Sequence, residues 1–414
     1  MKISSVRSYL LSYPFKEPII LRFRGGERII VKRDAMFIRV ATDNGLIGYA
    51  PGPGSERAQK IIGEVIAPFL CNRSLVDPDA LRVQFLQGPG TDPDAAKTYC
   101  SVEIALYDIA GKAAGLPVSE LIGGRVRDRI RVYGSAGMYM PPEAYAAEAQ
   151  AIAELGFHAY KMRPAAGAEQ DLETIRLVRE AVGPDFDLMV DAHTWWRMGD
   201  GSYCFETIEQ LAEEFAAYHI AWLEEPLPPH DHTGYLRLKE KDLVPLAAGE
   251  HELHEASLLD LVLTQAVDYV QMDVCLQGGY AMGRRVFAEI ARQGLRSAFH
   301  SSGTALEVIA AAQLGICWPQ MVVEWLEYPC YSSPDRAGMY PFPLASEILT
   351  EPLHLDRGEL MVPRTPGLGV TVDESVAERY PWIPGPWSYF RTDSPAQTKP
   401  VTSDRMIHRQ GRTA

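Results

Sequence analysis

Seven apolar runs in this chain each end in a charged or titratable side chain, at intervals of roughly 23 to 33 residues, about one β/α unit each. They are A-Y-K-M-R (Lys161, Arg163), F-D-L-M-V-D-A-H (Asp191, His193), A-W-L-E-E-P (Glu224, Glu225), P-L-A-A-G-E (Glu250), Y-V-Q-M-D (Asp273), R-S-A-F-H (His300) and V-V-E-W-L-E (Glu327). Side chains two apart in a strand point the same way, so Asp191 and His193 project toward one place. A strand buried on both faces ends in a carboxylate only with a reason, and a site at the strand tip is one. Between the runs lie helical patterns. Glu143–Leu155 stops at Gly156, and Glu169–Val182 carries Leu172, Ile175, Val178 and Val182 on one face and stops at Gly183. Strands alternating with amphipathic helices predict a parallel barrel whose chemistry sits at the C-terminal strand ends.

A chain of 414 residues is too long for one ordinary core, which predicts two domains. Residues 1–127 read as an α+β domain with strands Ile3–Leu11, Ile29–Val31 and Ala35–Thr42, a hairpin at Asn44-Gly45, and helices Glu56–Leu70 and Ser101–Gly115. Phe15–Gly26 reads as a loop carrying Lys16, Arg22 and Arg24, either a solvated surface or a basic lid over an anionic substrate. Residues 128–355 form the barrel, opening with the strand I-R-V-Y-G-S. Residues 356–393 return to the first domain through P-G-L-G-V-T-V-D, read as a turn and strand. Residues 394–414 read as a flexible polar tail.

The net charge of −14 and pI near 5.3 speak against nucleic acid or an anionic membrane as partner. They leave room for an anionic substrate, because a bound divalent cation reverses the sign locally. M-K-I-S-S-V-R lacks the apolar core of a signal peptide, and no apolar run is long enough to span a bilayer. Six cysteines without a C-x-x-C pair read as reduced thiols, which gives a cytoplasmic expectation. Cys275, close behind Asp273, reads as a small buried hydrophobe.

Asp191, Glu224 and Glu250 end three consecutive strands, and all offer oxygen, which suits Mg²⁺. A single acid at a strand tip can simply cap a neighbouring helix. Three in succession, flanked by Lys161 and His300, favour a metal. Spacing does not choose between Glu224 and Glu225, because adjacent strand residues face opposite ways.

With these residues in hand, the sequence resembles the enolase superfamily in its mandelate racemase/muconate lactonizing enzyme branch. K-x-R, D-x-H, L-E-E-P, G-E, D, H and W-L-E fall in the family's order, and the likeness runs from G-L-I-G through A-L-Y-D-I-A-G-K and G-G-R-V-R-D to the late P-G-L-G. The resemblance implies a modified TIM barrel, (β/α)7β, under an N-terminal α+β capping domain completed by the C-terminal segment. It implies one Mg²⁺ per subunit on Asp191, Glu224 and Glu250, and a His300 base whose tautomer Asp273 sets. It also implies that Glu327 hydrogen-bonds the substrate carboxylate, and that the basic loop with Arg22 and Arg24 contacts substrate. The chemistry implied is removal of the proton alpha to a carboxylate, giving an enediolate.

Two departures direct the choice of reaction. Two-base members carry K-x-K, whereas here the second position is Arg163, a poor base suited to clamping a carboxylate or hydroxyl. The D-x-N position is D-x-H, and His193 can help a β-hydroxyl leave, as in some acid-sugar dehydratases of the family. Trp195 and Trp196 offer flat faces to a sugar, or pack under the capping domain. The expectation is an acid-sugar dehydratase, a hydro-lyase converting an aldonate or aldarate to a 2-keto-3-deoxy acid in carbohydrate catabolism, with a racemase, epimerase or cycloisomerase as alternative. A homo-oligomer, dimer to octamer, is expected.

Overall fold

The protein is described from a computed structural model, which covers residues 1–252, 254–330, 342–393 and 396–403. Its first layer is an antiparallel sheet. Strands β1 (Ile3–Phe23) and β2 (Gly26–Thr42) form one long hairpin, and β3 (Ile47–Gly52) returns after Asn44-Gly45 to pair with the distal half of β2. Phe15–Gly26 is therefore a hairpin rather than a loop. Leu21 and Phe23 are buried while Arg22 and Arg24 are exposed, the alternation of a half-buried strand. Gly25, at φ 76, makes the turn. Helices follow over Glu56–Leu70, interrupted by a π-turn at Ile62–Ile66, then Pro78–Leu86 and Pro93–Ala114. The last begins with Asp92 capping Ala95 N and ends with Gly115 in the left-handed conformation.

Eight parallel strands close the barrel. They are β4 (Arg129–Met138), β5 (Ala159–Arg163), β6 (Asp187–Asp191), β7 (Trp222–Glu224), β8 (Leu246–Ala248), β9 (Tyr269–Met272), β10 (Arg296–Phe299) and β11 (Val323–Pro329), with β11 pairing β4. Seven helices join them, Pro142–Glu154 and Ala168–Val182 among these, which is the (β/α)7β arrangement. One inward residue from each strand builds an apolar plug: Tyr133, Ala159, Met189, Trp222, Ala247, Tyr269, Ala298 and Trp325. Large and small side chains nearly alternate around the ring, which lets one layer fill the interior. Two residues further along the strands the same face presents Lys161, Asp191, Glu224, His300 and Glu327, so period-2 geometry sets the polar layer directly on the plug.

The C-terminal part does two things. Strands β12 (Leu355–Asp356) and β13 (Glu359–Met361) extend the barrel sheet along β4, so the segment from 356 begins on the barrel. Residues 366–373 make a turn with isolated bridges in place of the expected strand. A Cβ on Gly367 would sit 2.1 Å from Asp108 Oδ1, and that carboxylate also takes the N–H of Leu368. Asp108 further accepts Tyr49 N and Lys112 Nζ, so the A-L-Y-D-I-A-G-K stretch is a structural junction. Strands β14 (Ser388–Asp393) and β15 (Ala396–Val401) then form a hairpin whose first strand pairs with β2. The segment expected as a loose tail thus contributes a strand through Val401; residues 404–414 lie outside the described residues. No helix among the described residues is long and apolar enough to cross a membrane.

Candidate active site

A cavity of about 890 Å³ lies between the capping sheet and the C-terminal ends of the barrel strands, within the usual range for small-molecule sites. Arg163, His193, Glu250, His300 and Glu327 line it from the barrel, and β2, β14 and β15 line it from above.

Lys161 is fully buried at the centre of a carboxylate ring. Its Nζ lies 2.7 Å from Glu224 Oε1, 3.3 Å from Glu327 Oε1 and 3.5 Å from Asp191 Oδ2. Burial alone would lower its pKa, but Glu224, Glu327 and Asp191 hold it well above the usual value, so it stays charged. Arg163 turns Nε to Asp191 Oδ2 at 2.9 Å and Nη2 to Glu327 Oε1 at 3.3 Å. Burial would raise the Glu327 carboxyl, yet Lys161, His300 and Arg163 hold it at about 2. Asp191, likewise buried, is held well below the usual carboxylate range by His193, Arg163 and Lys161.

His300 donates or accepts through Nδ1 with Asp273 Oδ2 at 2.8 Å, and its Nε2 lies 3.2 Å from Glu250 Oε2. Asp273 is anchored by the backbone N–H groups of Cys275 and Leu276 at 2.8 and 2.9 Å. That leaves Asp273 Oδ2 for the imidazole, which places the Nδ1 proton between them and the reactive lone pair on Nε2. Burial would lower the His300 pKa, but Glu250, Glu327 and Asp273 raise it well above the usual value, so the ring is held protonated here, and Nε2 would serve as a base once a cation on Glu250 offset that carboxylate. Asp273→Asn is expected to slow turnover by on the order of 10² or more, because the imidazole loses its orienting partner. Steady-state kinetics against wild type measure this, and an unchanged rate would remove Asp273 from the mechanism. Cys275 is buried, and burial pushes its thiol well up, which fits a structural role.

Whether these residues can hold a divalent cation is tested by the donor set itself. Asp191 Oδ2 is buried and faces Arg163 Nε at 2.9 Å and Lys161 Nζ at 3.5 Å as ion pairs, without a hydrogen bond of good geometry among the described residues. Glu224 is pushed up to about 8 by burial, then by the neighbouring Asp191, with Glu250 adding to it. Carboxylates crowded in a low-dielectric site resist ionising together, and a cation relieves that. The residues fit. A second set overlaps the first: ligand atoms of Glu225, Glu250 and His251 lie within 4.8 Å of one another. Glu225, at φ 42, sits just past the strand and turns Oε2 to His251 Nδ1 at 2.5 Å. Sequence reasoning left Glu225 open and missed His251, whose signal was its place directly after Glu250.

His193 sits on the cavity wall with Nδ1 2.6 Å from Asp191 Oδ1. The proposed substrate contacts fall elsewhere. Arg22 and Arg24 are exposed on β1 and the turn after it, and neither lines the cavity; Arg28 and Arg33 of β2 do. Trp195 is fully buried, with Nε1 donating to Pro164 O at 2.9 Å, and its ring packs against Tyr203 and Phe215. Trp196 lines the cavity instead, anchored by its N–H to Glu225 O at 3.0 Å.

An eight-stranded parallel barrel with a carboxylate cluster, a buried lysine and an Asp–His pair under an antiparallel cap defines an enzyme of the enolase-type barrel class. The chain belongs to the mandelate racemase/muconate lactonizing enzyme family of the enolase superfamily. Residues 144–376 match the enolase C-terminal domain-like family, and residues 28–123 match the mandelate racemase/muconate lactonizing enzyme N-terminal domain. It is 26% identical to D-galactarolactone cycloisomerase of Agrobacterium fabrum, over 92% of this chain and 99% of that protein. It is 28% identical to D-xylonate dehydratase of Haloferax volcanii, over 83% and 85%. A solved enolase-superfamily member from Polaromonas sp. JS666 superposes with a TM-score of 0.80 at 29% identity, covering 93% of this chain and 99% of that one. Enzymes of this superfamily use a divalent metal.

Proposed function

We propose that this enzyme dehydrates an aldonic or aldaric acid sugar to a 2-keto-3-deoxy acid, with one Mg²⁺ per subunit. The observation that supports this reading is that neither basic side chain of β5 is available as a second base opposite His300. Lys161 is locked in three ion pairs and Arg163 in two, so neither can take a proton from the face opposite His300. Racemisation by exchange between two bases is disfavoured; elimination needs only one. His300 Nε2 takes the α-proton, and the electron pair moves into the carboxylate. The β-carbon–oxygen bond then breaks, the hydroxyl leaves as water with a proton from His193 or from His300, and the enol becomes the 2-keto acid. Glu327 and Arg163, at the cavity edge, orient the substrate carboxylate.

A cation held by Asp191, Glu224 and Glu250 supplies neutralisation of the carboxylate oxygens as charge develops on them. Glu224→Gln is expected to weaken Mg²⁺ binding, read by calorimetry, by about 100-fold or more, since losses of outer-shell partners alone reach 10- to 100-fold. If Glu225→Gln does this and Glu224→Gln does not, the ligand set passes to Glu225, Glu250 and His251. Screening the Mg²⁺-loaded enzyme against an acid-sugar library, with 2-keto acids as readout, tests the reading itself. Activity should vanish with EDTA and return with Mg²⁺.

The likeness to a cycloisomerase favours a second reading, in which the leaving oxygen belongs to a ring and no water is released. It uses the same single base. Opening of an acid-sugar lactone with no dehydration of the open-chain acids would select it.

A further inference from the structure

We infer that Gln277 is a positioning residue that ties the loop after β8, which carries the ligand Glu250, to the tip of β9, which carries Asp273. This rests on the reading above, in which Glu250 ligates Mg²⁺ and His300 is the base, and deepens it. Gln277 lies in a π-turn over Val274–Gly278, and its side chain is buried. Its Oε1 accepts the backbone N–H of Asp273 at 2.7 Å. Its Nε2 faces the carbonyls of Gly249 and Glu252 at 2.5 Å each and that of Glu250 at 3.2 Å. One amide thereby spans two strand tips, and its two N–H protons serve three carbonyls of a single turn.

The two tied tips are the ones that hold His300. Asp273 Oδ2 lies 2.8 Å from Nδ1 of that ring, and Glu250 Oε2 lies 3.2 Å from its Nε2. Asp273 is fixed within its own turn, where Oδ1 accepts the Cys275 and Leu276 N–H groups. The Glu250 loop leaves β8 at Ala248 and turns at once, with Gly249 at φ 138, so strand pairing no longer holds its carbonyls. Gln277 holds them instead. The π-turn that carries Gln277 is docked by the capping helix Pro93–Ala114. Ser101 Oγ donates to Cys275 O at 2.8 Å, and Glu103, paired with Arg82 at 2.6 Å, accepts Ala281 N at 2.8 Å. A side chain of similar length without the amide fills the space but leaves an N–H and three carbonyls to find other partners, so the loop relaxes. A shift of roughly 0.5 Å at a carboxylate is the limit a preorganised site tolerates, and Mg²⁺ demands near-ideal geometry. The consequence therefore falls on the metal and not on stability alone.

The test is calorimetric binding of Mg²⁺ alone to the full chain, read without turnover. Gln277→Met is expected to weaken binding by about tenfold or more, the range for groups that orient metal ligands. Gln277→Asn keeps the amide but falls one methylene short of spanning both tips. It is the milder change, available if the Met variant does not fold, and it should also lose about tenfold. Gln313→Met is the control. Gln313 is also buried and bonded at both ends, to Ser119 N at 3.1 Å and Leu368 O at 3.0 Å, partners outside the site. Its replacement should lower the melting temperature as Gln277→Met does and leave Mg²⁺ affinity unchanged. Glu250→Gln tests the ligand assignment separately. If it loses Mg²⁺ affinity while a folded Gln277 variant binds as wild type does, the inference falls alone. If Gln313→Met loses as much affinity as Gln277→Met, general loosening explains the effect and the inference falls as well. If Glu250→Gln binds as wild type does, the ligand assignment falls and takes the inference with it.

Discussion

Replacing His300 with asparagine is expected to abolish exchange of the substrate α-proton with solvent deuterium and to reduce turnover by about 10³-fold or more, at the upper part of the range for a positioned base. The expectation follows from geometry: His300 lines the cavity and pairs through Nδ1 with Asp273, a carboxylate outside the proposed metal set, whereas His193 pairs through Nδ1 with Asp191 of that set, and Nε2 of His300 faces Glu250 where the carboxylates converge. Asparagine preserves a hydrogen bond to Asp273 and removes the basic nitrogen. Fold and metal binding should persist, so the loss should appear in kcat while the protein still melts cooperatively. Normal proton exchange in the variant would transfer the base role to another group, Lys161 first among them.

The second large effect is on stability. Lys161→Met is expected to lower the unfolding free energy of the metal-free protein by about 3 to 5 kcal/mol, the cost of removing one partner from a buried ionic cluster. Lys161 faces Glu224, Glu327 and Asp191 within 3.5 Å, and all four side chains are buried. Methionine fills a similar volume, so the loss is electrostatic rather than a cavity effect. Urea denaturation checks it, and a loss below about 1 kcal/mol would mean the ring is balanced by Arg163 alone.

Period-2 alternation made the barrel and most of its polar layer readable, because five strands carry a charged or titratable residue two places beyond an inward apolar one, as Trp222 precedes Glu224 and Trp325 precedes Glu327. The capping layer was harder. Pro14, Lys16, Glu17 and Pro18 interrupt the pattern of β1, where the register shifts between Pro14 and Ile19, so the run resembled a loop. The same reading assigned Arg22 and Arg24 to substrate, and neither lines the cavity. Their alternation with Leu21 and Phe23 puts them on the solvent face, and a strand shows only every other side chain to one side. Strand β15, A-Q-T-K-P-V, carries one large apolar residue, Val401. It is held by backbone pairing to β14, which in turn pairs with β2 more than 350 residues away in sequence, at Ser388 opposite Ile30. No local signal carries such a contact. The choice between Glu224 and Glu225 was also beyond spacing, since it depends on the backbone turning to φ 42 at Glu225.

Single-base elimination is tested most directly by following an accepted acid sugar in deuterium oxide by proton NMR, for the wild type and for His193→Ala. The account predicts a 2-keto-3-deoxy product carrying deuterium at carbon 3, residual substrate with its original configuration at the α-carbon, and slower product formation in His193→Ala. Inversion of the α-carbon without any 2-keto-3-deoxy product would contradict it.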